Sequence, residues 1–120
     1  MEATKNSSSI VRRLCAGMEA TKNSYGNWCI ESRLDLTDDL RIRLTTMKRH
    51  TGTTLSTLNG EKKEGNAWYF APFSDFKKTL LSSDKKSTKA LVEKMHTDAL
   101  VMLDQVKYEA IDFYRQKELA

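Results

Sequence analysis

From Trp28 onward, apolar and polar side chains alternate one by one. Trp28, Ile30, Ser32, Leu34 and Leu36 fall on one side, with Cys29, Glu31, Arg33 and Asp35 between them. A period of two is that of a strand with one solvated face. Thr37-Asp38-Asp39 predicts a turn, after which Leu40, Ile42 and Leu44 alternate with Arg41, Arg43 and Thr45 in a second strand. The competing reading is a helix with Leu40, Leu44 and Met47 on one stripe. It is disfavoured because Ile42 would point away from that stripe. Residues 53–58 are rich in β-branched side chains and predict a third strand. The string NGEKKEGN, residues 59–66, reads as an exposed hairpin tip, and the aromatic stretch from Ala67 to Phe73 as a fourth strand. Pro72 belongs at the end or edge of that strand, because it has no amide proton for the ladder.

Ser74 is expected to cap a short helical turn reaching Leu81, and Ser83 or Asp84 a longer helix. From Lys85 to about Lys117 there is neither proline nor glycine. Leu91, Val92, Met95, Ala99, Met102, Leu103, Val106, Ala110, Phe113 and Tyr114 recur there at steps of three and four. Such a helix is roughly 50 Å long, whereas strands of seven or so residues span about 23 Å. The helix therefore outruns its sheet. The excess is expected to pair with a second copy through Met95, Ala99, Met102, Val106 and Phe113, in preference to a break near Thr97. The predicted fold class is α+β: a four-stranded antiparallel meander followed by a long amphipathic helix packed on one face.

All of these elements lie downstream of a repeated string. MEATKNS occurs at Met1 to Ser7 and again at Met18 to Ser24. Chance identity of this length in so short a chain is improbable, so a duplicated coding segment or a second start site is expected. Residues 1–24 are predicted to be a flexible appendage, with a short helix from Ser9 to Met18 too brief to stand alone. Residues 25–120 form the single domain that a chain of 120 residues allows.

Composition narrows the function classes. No apolar run approaches the length of a membrane span. Two cysteines, Cys15 and Cys29, cannot build a disulfide framework, and no apolar leader opens the chain; an intracellular setting, cytoplasmic or nuclear, is expected, with organelle targeting by residues 1–17 a minor alternative. The net charge of +4 is unevenly spread. Residues 41–94 carry twelve basic and five acidic side chains, while the segments on either side are slightly acidic. A localised positive field favours phosphate backbones or acidic protein faces.

Converging catalytic groups are not evident. His50 and His96 have no nucleophile arranged around them, and the cysteine and histidine spacings resemble no compact zinc pattern. Gly60 and Gly65 fall in the supposed hairpin tip and not in a phosphate loop. No enzyme activity, metal, cofactor or small-molecule substrate is expected. A sheet covered by one helix leaves its other face open, and there Arg33, Arg41 and Arg43 are predicted to face solvent beside rings of the fourth strand. Rings among guanidinium groups suit single-stranded DNA or RNA, whose bases stack and whose phosphates seek cations. The expected contacts are Arg41, Arg43, Lys48, Arg49, Lys62, Lys63, Trp68 and Phe70. Removing Arg41 and Arg43 together is expected to weaken binding and leave stability nearly unchanged. The order of four strands and then a helix is similar in topology to the PUR and Whirly single-strand binders, an analogy carried by no sequence motif. The runner-up is a small dimeric adaptor or inhibitor that uses the long helix to grip another protein.

Overall fold

A computed structural model describes residues 18–71 and 75–119. Residues up to Ser83 make β1 (Thr21–Lys22), β2 (Trp28–Thr37), β3 (Leu40–Lys48), β4 (Thr54–Glu64), β5 (Ala67–Tyr69) and β6 (Lys77–Ser83), and the rest makes one helix, α1 (Lys89–Leu119). All strands join one antiparallel sheet. β1 to β4 are neighbours in chain order, and the outer edge of β4 is shared by β5 at residues 62–64 and β6 at residues 54–59. The fold is α+β as expected, with six strands where the sequence pattern showed four.

Both extra strands were hidden from a search for alternation. β1 has two residues and both are exposed. Its position nonetheless moves the domain boundary: Ala20 is buried, its amide donates to Glu93 Oε2 (2.9 Å), and Met18 packs on the core. The second MEATKNS copy is therefore part of the folded unit and not of an appendage. The first copy, the Ser9 to Met18 helix except its last residue, Cys15, Pro72 and the Ser74 cap lie outside the described residues. β6 replaces the helical turn expected towards Leu81. Residues 77–83 find the open edge of β4, and pairing along six positions outweighs a weak local helical preference.

The third correction concerns residues 59–66. β4 does not stop at Leu58 but runs on to Glu64, and the hairpin tip is Gly65-Asn66, where Gly65 takes the left-handed φ of 63° that a tight turn needs. Gly60 is an interior strand residue. It is glycine because Tyr114 of α1 presses against it: a Cβ at Gly60 would collide with the Tyr114 hydroxyl and ring edge. The same hydroxyl accepts from the Phe76 amide (3.2 Å), and the Gly60 amide donates to the Phe76 carbonyl (2.7 Å). Burial pushes the Tyr114 phenol up to about 12, so it stays protonated.

The helix covers one face only. Leu40, Ile42 and Leu44 of β3 and Leu58 of β4 meet Ala99, Leu100, Leu103, Val106, Ala110 and Tyr114 in one apolar cluster, and Val92 meets Ile30 and Ala20 in a second. Each large aliphatic side chain so removed from water contributes about 1.5–3 kcal/mol before entropy is counted. Thr88 caps α1: its hydroxyl accepts from the Leu91 amide (3.1 Å), whereas Ser83 ends β6 and Asp84 bonds Thr53. The helix is continuous through Thr97. Its buried stretch, Val92 to Tyr114, is about 34 Å long, close to the roughly 33–36 Å of the ten- and eleven-residue strands below it. The full helix of 31 residues, about 46 Å, still outruns those strands, but by far less than strands of seven residues would imply.

Besides the Tyr114 hydroxyl, a chain of polar groups crosses this seam at His96. His96 is 1% exposed. Its Nδ1 lies 2.8 Å from Thr46 Oγ1, which lies 2.8 Å from Ser56 Oγ; its Nε2 lies 2.7 Å from Ser32 Oγ, which donates to Met18 Sδ (3.7 Å). Desolvation disfavours the charged ring and lowers the His96 pKa to about 4. In the neutral ring one proton arrangement satisfies every partner: Ser56 donates to Thr46, Thr46 to Nδ1, Nε2–H to Ser32, and Ser32 to the thioether.

Two outcomes follow for stability. Because His96 titrates near 6.5 when unfolded, its contribution is intact above that pH and is lost as pH falls towards 4, by up to about 3 kcal/mol. Urea unfolding from pH 7 to pH 4 should show a steeper loss in the wild type than in His96→Gln. Gly60→Ala should cost about 1–3 kcal/mol through overpacking, and less in a Tyr114→Phe background, where the colliding hydroxyl is gone; a double-mutant cycle measures the difference.

Candidate nucleic-acid interface

The helix-free face is built by the odd-numbered residues of β2, β3 and β4, which the register places side by side. Asp35 is opposite Arg41, Arg33 opposite Arg43, and Glu31 opposite Thr45; Arg41 is opposite Glu61, Arg43 opposite Asn59, and Thr45 opposite Thr57. Among the described residues no helix packs over this face. It is nevertheless not uniformly exposed. Thr57, Asn59 and Glu61 are at most 7% accessible, because the long side chains of the flanking strands rise around the central strand.

An ionic ladder runs across the three strands. Glu61 lies 2.6 Å from Arg41 Nε and 3.4 Å from Arg43 Nη1. Glu31 lies 3.1 Å from Arg33 Nη2 and 3.2 Å from Arg43 Nε, the latter within ion-pair reach but out of line for a hydrogen bond. Trp68 closes one end, with the Arg41 guanidinium 4.3 Å from its ring centroid and Lys63 at 6.0 Å. Its placement meets the expectation that one large ring lies on the helix-free side. At the other end Arg49, from the turn after β3, reaches Thr57 Oγ1 at 3.4 Å.

The eight expected contacts are thus divided. Arg41, Arg43, Arg49, Lys63 and Trp68 share the helix-free face. Lys62 points to the opposite face, 5.7 Å from the Tyr114 ring. Lys48 ends β3 on the helix side, where it lines a depression with Lys22, Lys85 and Lys86 beside the start of α1. Phe70 is half-buried beyond the end of β5. Sequence reading missed Glu61 and Asn59, since it assigned residues 59–66 to an exposed tip, and it assigned no face to Thr57 in the strand it did predict. The available signal was the alternation of Leu58 and Gly60 with Asn59 and Glu61, continuing the preceding strand.

Of the residues expected to join two copies, Met95, Ala99 and Val106 are buried against the chain's own sheet, and Phe113 stacks on Phe76 and Tyr114 at 5.7 and 5.1 Å. Met102 alone reaches the surface, 37% exposed. They are not available as a pairing face, because the helix spends that stripe on the sheet. Burial pushes the Cys29 thiol up, away from thiolate, and among the described residues no three metal-ligating side chains come together. No helix among them is long and apolar enough to cross a membrane. No protein-family model, curated protein or solved structure matches the chain.

Arg41 and Arg43 carry structural duty that their alternation did not reveal. Removing both leaves the buried Glu61 carboxyl group without its partners, at a cost of about 3–5 kcal/mol. Chemical denaturation of Arg41→Ala/Arg43→Ala should show that loss, and adding Glu61→Leu should recover much of it.

Proposed function

We propose that the protein binds single-stranded nucleic acid, without catalysis, on the helix-free face of its sheet. The observation that carries this reading is the Trp68–Arg41 stack at the end of an arginine-rich ladder, on the one sheet face the helix leaves uncovered. Arg33, Arg41, Arg43, Arg49 and Lys63 outnumber Glu31, Asp35 and Glu61 there, so the face keeps a positive excess after its internal pairing. Guanidinium groups already held by carboxylates are fixed in place, which reduces the ordering cost of gripping a phosphate with their remaining N–H donors. The Trp68 ring offers a base a surface for stacking. The depression ringed by Lys22, Lys48, Lys85 and Lys86 adds a second cationic stretch at the helix end of the molecule.

A second reading, a protein-interaction module, has its own observation. Val101 and Tyr108 lie two turns apart on the outer side of α1 and are 61% and 56% exposed, with Met102 beside them. Val101 and Tyr108 differ from the stripe expected to form the contact, and only Met102 is shared with it.

A salt series separates the two. Binding of a labelled single-stranded oligonucleotide should weaken linearly on logarithmic axes as salt rises. Arg49→Ala and Lys63→Ala should each lower affinity severalfold at fixed salt and reduce the slope by about one phosphate contact, with an unchanged unfolding midpoint. No binding at low salt would defeat the reading, and self-association abolished by Val101→Lys/Tyr108→Lys would favour the alternative.

A further inference from the structure

The helix-free face contains a depression of about 320 Å³ between the ladder and the turn that carries Arg49, and Asn59 forms part of its wall. Asn59 is 93% buried, the complement of its 7% exposure, yet its Oδ1 has no hydrogen-bond partner. A buried amide oxygen left unpaired is destabilising, and folded chains satisfy nearly all such groups. The other walls of the depression include Arg43 and Arg49, Glu31, Thr45 and Met47. The arrangement offers hydrogen-bond donors, acceptors and an apolar contact within one small hollow.

A phosphate alone does not fit this set. Phosphate oxygens are acceptors only, and they would leave Asn59 Oδ1 unpaired while facing Glu31. What completes the hollow is a planar group with a donor and an acceptor side by side, matching the amide bidentately, as the edge of a nucleobase does. We propose that this depression takes the edge of one unstacked base, read by the Asn59 amide, while Arg49 holds the adjoining phosphate. The proposal rests on the single-strand reading above and assigns its base-recognition site. It places that base beside the Arg43 rung of the ladder, separate from any base stacked on Trp68 at the far end.

The test compares an oligothymidylate with an abasic strand of the same length and charge, by fluorescence anisotropy, on the wild type, Asn59→Leu and Asn59→Ser. The wild type should bind the base-bearing strand about tenfold more tightly than the abasic one. Asn59→Leu should lose most of that preference and keep the abasic affinity, with an unfolding midpoint equal to or above the wild type, because an unpaired buried oxygen has been replaced by an apolar group of similar size. Asn59→Ser tests the same loss with a smaller side chain. Equal wild-type affinity for the two strands overturns the base site and leaves phosphate binding standing. So does an undiminished preference in both variants, which would assign base contact to Trp68. A wild type that binds neither strand overturns the single-strand reading and this site with it.

Discussion

Everything in this molecule depends on one apolar seam, in which Leu40, Ile42, Leu44 and Leu58 are covered by a single helix. One helix has one apolar stripe and can cover one face of a sheet. The sheet's two sides are therefore given different physical problems. On the covered side, water is excluded and polar groups must satisfy each other, which the relay from Ser56 through Thr46 and His96 to Ser32 and Met18 accomplishes. On the other side, the central strand must be shielded by side chains alone.

The ionic ladder answers that second problem. Glu61 sits on β4, beside the outermost strands of the sheet, with no helix above it among the described residues, and Arg41 and Arg43 close over it from the neighbouring strand. The same arrangement fixes the position of three arginines, Arg33, Arg41 and Arg43. On the proposed reading, structural support and ligand recognition would fall to the same side chains, and a substitution there tests both at once. Arg49, Lys63 and Asn59 are more informative, because none of them is a rung of the ladder.

The sequence made some of this legible and hid the rest for identifiable reasons. The alternation in residues 28–45 gave the first hairpin, its register parity and the sidedness of Arg33, Arg41 and Arg43, because each strand there has one buried and one wetter face. The periodicity from Leu91 to Tyr114 gave the helix. Gly60 misled: Asn59-Gly60 has the composition of a turn, and only the Tyr114 ring packed against it explains a glycine in the middle of a strand. Residues 77–83 misled because their strand state is imposed by the edge of β4 and not by their own pattern. Ion pairing was invisible for the same reason. Glu61 is twenty positions from Arg41, and until β4 is known to extend past Leu58 nothing brings them together.

The most direct measurement of the central claim is amide and indole chemical-shift mapping of the labelled protein during titration with a single-stranded oligonucleotide. The account predicts that saturable shifts concentrate on the Trp68 indole, Glu61, Asn59 and the turn around Arg49, leaving the outer side of the helix near Val101 and Tyr108 unmoved. Shifts confined to that outer helix surface, or none at all, would contradict it.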